Sequence, residues 1–333
     1  MGWVLGIDTS CYTTSLALVD TAGRLVAQQR RLLKVKVGER GLRQSEAVFQ
    51  HNVNLPELAE SLVQEAGLAV GEFRDRIIGI AASTRPRPVA GSYMPVFKVA
   101  EGFGRSWAAL FGVSFIPTSH QEGHLMAGLW SAGGPNSEEF LAVHLSGGTT
   151  ELLRVRRLEP GNGDAFQERL LGGSRDLHAG QLIDRVGVAM GLEFPAGPRL
   201  EELAAQVGEG GISIPSSVKG YEISFSGAET QATRLLAQGA DPSGVARAVE
   251  KCIINSLEKI LRLGVNEEGL DQVLIVGGVA ANRYLRSRLK QRLEHPAVGA
   301  RLYFAEAVHS TDNAVGVALI GAEALKSKDL KEY

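Results

Sequence analysis

The chain has 333 residues, 44% of them hydrophobic, and a formal net charge of −2. That length exceeds one ordinary core and fits two domains, while the near-neutral balance excludes a global basic field for nucleic acid. Only two cysteines occur, Cys11 and Cys252, with no Cys-x-x-Cys; this excludes a disulfide scaffold and a cysteine-rich zinc site and fits a reducing cytoplasm.

An apolar run at 3–7 reads directly into a strand, so no signal peptide is expected. It ends in Asp8-Thr9-Ser10, and strands at 15–19 and from Leu25 complete a β-meander, with Gly23 in the second turn. Arg24, Arg30, Arg31, Lys34, Lys36, Arg40 and Arg43 face a single acid, Glu39, and read as a solvated face rather than an RNA contact. A helical pattern follows around Leu55, Leu58 and Leu62, then a strand at 77–81, a helix at 96–111 and a strand at 113–116.

The pattern then recurs. A strand at 140–145 ends in Ser146-Gly147-Gly148-Thr149-Thr150 and continues into a strand at 151–157. Helices are expected at about 176–190 and 245–263, a buried strand at 273–276, a helix at 280–293, a strand near Leu302 and a closing helix at about 312–325. Each half opens with a hairpin and continues with alternating helices and strands, which predicts an α/β fold of two lobes with mixed sheets facing a common cleft. The first lobe is expected over 1–133, with the C-terminal helix at about 310–326 packing back on it. The second spans 138–309, with a helical insertion at about 176–240. The polar hairpin tips offer backbone N–H groups and hydroxyls to an anion. No apolar stretch is long enough to span a membrane.

His120-Gln-Glu-Gly-His124 carries the sharpest chemistry. Two histidines four apart lie on one helix face and can grip one transition metal. Ser119 can cap that helix, with Glu122 in a capping box. Gly-x-Gly-x-x-Gly after a strand and a Walker A loop are both absent, so a nucleotide needs other loops. Gly277-Gly278 after a buried strand lets backbone approach a flat ligand, and Asn282 can bond to a ribose or base. In Ser224-Phe225-Ser226-Gly227 capping is the default reading. Asp312 is either an N-cap or a carboxylate presented at a helix start.

Together these pieces resemble the actin-like ATPase superfamily, and more narrowly the TsaD group, tRNA threonylcarbamoyladenosine transferases once described as O-sialoglycoprotein endopeptidases. The resemblance runs from Gly6-Ile7-Asp8-Thr9-Ser10-Cys11 through His120 to His124, Leu145-Ser146-Gly147-Gly148, Asp184, Pro195-Ala196-Gly197-Pro198, Ser224 to Gly227 and Gly277-Gly278-Val279-Ala280-Ala281-Asn282 to Thr311-Asp312-Asn313. It implies an actin-like (ASKHA, duplicated RNase H-like) fold. His120, His124 and Asp312 would hold one metal, iron or zinc. His144, Leu145, Ser146, Gly147 and Gly148 would bind the phosphate side of ATP, ADP or an acyl-adenylate, with Asp184, Gly197, Gly277, Gly278 and Asn282 around its ribose and base. The implied reaction moves a threonylcarbamoyl group from its adenylate to adenine N6 of tRNA. The implied partners are tRNA, a TsaB-like actin-fold pseudo-paralogue and a small TsaE-like ATPase.

The sequence also departs from the family. Tyr12 and Thr13 stand where two acids are usual, Thr149 replaces a histidine, and Asp176-Leu177-His178-Ala179-Gly180-Gln181 lacks two carboxylates of the family pattern. Ser83-Thr84-Arg85-Pro86-Arg87-Pro88 replaces an Ala-Gly-Pro-Gly segment with a stiff basic loop. Arg85, Arg87, Thr149 and Gln181 are therefore candidate specificity positions, and the changes predict a divergent paralogue. A nucleotide-binding regulator or scaffold, or a transferase with a different acceptor, is the second reading. A metalloprotease is disfavoured because Gln121, not Glu, follows the first histidine.

Overall fold

The computed structural model describes residues 2–10, 12–35, 42–159, 164–208 and 211–329. Cys11 and, from the basic run, Lys36, Glu39 and Arg40 lie outside the described residues. In chain order the elements begin with β1 (Trp3–Asp8), β2 (Thr13–Asp20), β3 (Leu25–Leu32), α1 (Gln44–Glu65), α2 (Val70–Arg76), β4 (Ile77–Arg85), α3 (Phe97–Phe111), β5 (Ser114–Ser119) and α4 (His120–Ala132). They continue with β6 (Glu139–Leu145), β7 (Thr150–Arg157), β8 (Phe166–Ser174), α5 (Ala179–Ala189), α6 (Gly197–Ala204), β9 (Ser217–Lys219), β10 (Glu222–Ser224) and α7 (Ser226–Ala237). The last are α8 (Pro242–Glu268), β11 (Gln272–Val276), α9 (Arg283–Leu293), β12 (Arg301–Phe304) and α10 (Val315–Asp329).

The chain divides into two compact units. The first comprises 1–130, 157–167 and 311–333, and the second 131–156 and 168–310. In the first unit the sheet runs β3-β2-β1-β4-β5, with β1 to β3 antiparallel and β1, β4 and β5 parallel. α10 packs on β1, β2 and β4, and α1 packs on β2 and β3. The core joins Leu5, Ile7, Leu16 and Leu18 of the meander to Leu55, Leu58 and Leu62 of α1 and Ile80 of β4. Every residue of β2 is buried, which is why its sequence, Thr-Thr-Ser-Leu-Ala-Leu-Val-Asp, carries no charge until Asp20 at its end, where Arg24 pairs with it.

The second sheet runs β12-β11-β6-β7-β8-β10-β9. Its β8-β7-β6-β11-β12 portion repeats the strand order of the first sheet, and β6–β7 are antiparallel while β6, β11 and β12 are parallel. The three-residue hairpin β9–β10 is appended beside β8. Leu141, Val143, Leu152, Val249, Ile253, Leu257, Val273 and Ile275 anchor its core. α8 presents Val245, Val249, Cys252, Ile253, Leu257 and Ile260, all buried, on one stripe. Among the described residues no helix is long and apolar enough to cross a membrane.

Several boundaries differ from the sequence pattern. The helix expected at about 176–190 begins at Ala179, because Asp176 is drawn into bonds with Ser224, Phe225 and Ser226 instead. The helix expected from 280 begins at Arg283, after a single 3₁₀ turn at Gly278–Ala281. The closing helix begins at Val315, capped by the Asn313 side chain, whose Oδ1 accepts from Val315 N at 3.0 Å.

Candidate functional site

In the first unit, β5 runs straight into α4 at Ser119–His120. The capping box forms as the sequence predicts. Glu122 accepts from Ser119 N at 3.0 Å and Ser119 Oγ at 2.6 Å, and Glu122 N donates to Ser119 Oγ at 3.3 Å. The other carboxylate oxygen accepts from Ala165 N at 2.8 Å. Glu122, fully buried, is therefore consumed in holding the helix start to the 164–166 segment. That occupancy leaves it no role as a general base.

Gly123 lets a second helix close in. Gly316 of α10 approaches so nearly that a Cβ on it would stand 1.9 Å from the Gly123 carbonyl oxygen. This backbone-to-backbone crossing seats the start of α10 on the start of α4. Because Asn313 caps α10, Asp312 is left to face the histidines. His124 Nε2 lies 3.0 Å from His120 Nε2 and 3.2 Å from Asp312 Oδ1, and His120 Nε2 lies 3.5 Å from the same oxygen.

These spacings suit a cation. A metal about 2.0–2.1 Å from each donor in tetrahedral geometry separates the donors by roughly 3.4 Å. Two imidazole nitrogens facing each other at 3.0 Å also need a proton or a cation between their lone pairs. The three ligand atoms fall within 4.8 Å of one another, so the donor set fits one ion.

Asp8 completes the arrangement. Its Oδ2 lies 3.3 Å from His120 Nδ1, which leaves Nε2 to point at the other two donors. Ser10 donates to Oδ2 at 2.7 Å, and Ser83 donates to Oδ1. Burial opposes a proton on His120, but Asp8 and Asp312 outweigh it and hold the imidazole well above its usual pKa. Burial would likewise raise Asp312, yet its bonds to His120 and His124 hold it far below the usual carboxylate range. In the sequence Asp8 stands out only as part of a matching segment. Its orienting role has no local signal, since it depends on a contact with a residue far along the chain.

The second unit holds the residues expected around a nucleotide. Leu145 ends β6, and Gly277 presses on it; a Cβ on Gly277 would lie 2.2 Å from the Leu145 carbonyl oxygen. Ser146 N donates to Thr149 O at 2.8 Å, closing a tight turn. Gly147 and Gly148 border open space. Gly180 N at the start of α5 donates to Ser146 O at 3.2 Å, so a helix start abuts the turn. His144 stays in the ladder, opposite Glu151 and Val276.

Asp184 of α5 accepts from Ala196 N at 2.8 Å, just before Gly197 opens α6, and burial raises its pKa. Asn282 caps α9 through Leu285 N at 2.7 Å and donates to Glu250 at 2.6 Å. Glu250 also receives Arg247 at 2.6 Å, and Arg247 stacks 3.7 Å over Tyr284 and bonds the Ala204 carbonyl of α6. Burial pushes the Glu250 carboxyl up to about 7, against Asn282 and Arg247. Thus α6, α8 and the start of α9 are tied together, with Asp184 and Asn282 at separate ends of that network.

The departures also take definite places. Gln181 accepts from His178 N at 3.1 Å as the third residue of α5, a capping bond that an amide makes as well as a carboxylate. Arg85 pairs with Asp164. Arg87 N donates to Ser92 Oγ at 3.0 Å within an exposed loop. Asp176 is held by Ser224, Ser226 and the Phe225 N–H and lies far below the usual carboxylate range, despite the opposing effect of burial.

The profile of the family TsaD, tRNA N6-adenosine threonylcarbamoyltransferase, matches residues 28–319. A tRNA N6-adenosine threonylcarbamoyltransferase of Thermus thermophilus is 34% identical over 325 residues, covering 95% of this chain and 91% of that protein. Among solved structures, component A of the (R)-2-hydroxyglutaryl-CoA dehydratase of Acidaminococcus fermentans aligns with a TM-score of 0.56 at 15% identity, covering 97% of this chain and 98% of that one. A full-length HypF aligns with a TM-score of 0.60 at 13% identity, covering 100% of this chain and 56% of that one. At such identities these structures show the fold alone, which is the actin-like ATPase fold.

Proposed function

The chain belongs to the TsaD family, and we propose that it transfers a threonylcarbamoyl group from its adenylate to N6 of an adenosine in tRNA. The observation that carries this reading is the meeting of His120, His124 and Asp312, brought together by the Gly123–Gly316 crossing in a chain that matches the family along most of its length. His120, His124 and Asp312 hold one ion, iron or zinc, with Asp8 orienting His120. Such an ion supplies a Lewis acid that polarises a carbonyl and stabilises the charge developing on its oxygen.

The chain's own residues do the rest. The turn of Ser146, Gly147 and Gly148, beside the start of α5, binds the phosphate of the adenylate, with the Gly147 N–H as donor while Ser146 N and Gly148 N hold the turn closed through Thr149 O and Ser146 Oγ. Asp184, Gly197, Gly277, Gly278 and Asn282 take its ribose and base. Arg85 and Arg87 border the start of α4 through the Pro86 carbonyl, which accepts from Gln121 N at 3.1 Å, and they tune which substrate reaches the histidines. A TsaB-like pseudo-paralogue and a TsaE-like ATPase are the expected helpers.

The regulator reading loses ground. Its motive was lost acids, and at Gln181 the structural duty of the acid, capping α5, is retained. The test is a reconstituted assay with purified protein, tRNA, an adenylate-forming enzyme and the two helpers, read by mass spectrometry of the nucleosides. Wild type should carry about one metal per chain and form N6-threonylcarbamoyladenosine. The double variant His120→Ala/His124→Ala should lose the metal and slow by about 10²–10³, the scale of losing a charge-stabilising group. Equal product from the double variant would sink the proposal.

A further inference from the structure

Over 283–304 the chain carries Arg283, Arg286, Arg288, Lys290, Arg292 and Arg301 against a single acid, Glu294, in a protein whose net charge is −2. The chemistry described above uses none of them. Leu285, Leu289 and Leu293 are buried and hold α9 on the core of the second unit. Arg283, Arg286 and Lys290, spaced i, i+3 and i+7, share another face of the helix. With Ser287 and with Tyr303 and Phe304 of β12, the edge strand of its sheet, they line a cleft of about 420 Å³.

The cations of α9 are treated differently on its two sides. Arg292 is matched, donating to Glu258 at 2.6 Å. In the cleft, Arg286 is half-buried and spends N–H groups on two carbonyls, Nε on Ala280 O and Nη2 on Ala305 O, each at 2.6 Å. Those bonds, and the Phe304 ring with its centroid 5.3 Å from the guanidinium carbon, fix the plane of the side chain. Lys290 Nζ stands 5.8 Å from the centroid of the same ring. Among the described residues no carboxylate pairs with Arg286 or Lys290. Glu201 acts on Arg286 through space but is engaged by Arg283, whose N donates to it at 2.8 Å and whose Nε lies 3.5 Å away. Burial works against the charge on Arg286 and lowers its pKa, yet a guanidinium stays charged. A half-buried cation, fixed in place with N–H groups left over and no paired acid, is prepared for an anion.

The row from Arg283 to Lys290 is roughly 10 Å long at the helical rise per residue. That exceeds one phosphate group and suits the repeating phosphates of a strand. Cations interleaved with aromatic rings are also the pattern of nucleic-acid surfaces. We propose that the α9–β12 cleft grips the phosphate backbone of the RNA on which the chain acts. This rests on the RNA acceptor named above. Arg286 takes one phosphate with its fixed fork, and Arg283 and Lys290 take its neighbours with their exposed ends. Such contacts set affinity and register and read no base sequence.

The test measures binding of the full-length protein to an unmodified tRNA transcript over a range of salt. Arg283→Glu/Lys290→Glu reverses the two exposed cations and leaves the buried stripe of α9 untouched. Arg74→Glu/Lys219→Glu makes the same change of net charge elsewhere. At about 0.1 M salt the first variant should bind at least about 10-fold more weakly, and its slope of log affinity against log salt should be shallower by about 1.4–1.8, the loss of two phosphate contacts. The second should bind as wild type does. In the reconstituted transfer assay the first variant should raise KM for tRNA by a similar factor while kcat holds. Equal affinity in the first variant overturns the inference. So does equal weakening in both, which marks net charge alone, or release of the tRNA by inorganic phosphate at constant ionic strength, which marks a small-anion site. Binding that the first variant loses, with no modified nucleoside formed by wild type, leaves this surface standing and sinks the transfer reading. Product formed with an unchanged KM in the first variant does the reverse.

Discussion

The β1–β2 and β6–β7 tips stand at the same place in a five-strand order that the two sheets share, yet they are filled in opposite ways. At the first, polar side chains turn inward. Asp8 is fully buried and receives Ser10 and Ser83, while Thr9 donates to Val96 O at 2.8 Å and accepts from Ala100 N at 3.1 Å. At the second, the tip is nearly bare backbone, with Gly147 and Gly148 bordering open space. A buried carboxylate that orients a histidine favours a cation; exposed N–H groups beside a helix start favour an anion. One duplicated hairpin thus presents two different electrostatic surfaces, and the difference is made by a few small residues. Both tips read alike in the sequence as small polar turns offering hydroxyls to an anion. In the structure the hydroxyls of Thr9 and Ser10 are spent internally, and so are those of Ser146 and Thr150, which accept from Gly148 N and Ala179 N; what sets the second tip apart is its exposed glycine backbone.

The sharpest way to break the second tip is at Gly277. Its φ of +99° is a left-handed conformation that side chains rarely adopt, and an added Cβ would press into the Leu145 carbonyl. Gly277→Ala should destabilise the protein by about 3–4 kcal/mol, strain and overpacking together. Denaturant unfolding measures it. A loss under about 1 kcal/mol would show that the backbone relaxes there, and that contact between β6 and the Gly277 turn does not shape the tip.

Local signals made much of this legible. The meander, the capping box of Ser119 and Glu122, the stripe on α8 and the pairing of strand, turn and helix at 273–293 all depend on residues close in sequence. What stayed hidden depends on distance. Nothing near Gly123 says that Gly316 will cross it, although that crossing is what carries Asp312 to His120 and His124. Glu122 bonds to Ala165 across a gap of 43 residues. Strand β8, with no clean alternation and two glycines near its end, and the three-residue strands β9 and β10 have no periodicity to find. Asp312 read equally as a cap or a presented carboxylate. The neighbour Asn313 decides it by taking the capping role.

A milder change probes the first tip. Asp8→Asn keeps the shape and accepts from Ser10 or Ser83, but removes the charge that orients His120 and strengthens it as a ligand. Zn²⁺ affinity should fall 10–100-fold, or about 1.4–2.8 kcal/mol, in a chelator competition. Nucleotide affinity should not change, because Asp8 belongs to the first tip's chemistry and not the second's. An unaltered Zn²⁺ affinity would remove Asp8 from the centre and leave the two tips less different than their packing indicates.

The smallest expected effect on stability is the most discriminating. A Cβ at Gly148 meets nothing within 4 Å, and its φ is not in the left-handed region, so Gly148→Ala should change stability by less than about 0.5 kcal/mol. If the bare backbone is there to let a phosphate approach, the same methyl should weaken ATP or ADP binding several-fold in calorimetry while Zn²⁺ binding stays as in wild type. Gly277→Ala couples ligand loss to unfolding and cannot separate the two; Gly148→Ala can. Binding unchanged on both counts would mean that the second tip is open for want of a neighbour rather than for a ligand, and the cation–anion contrast between the hairpins would lose its second half.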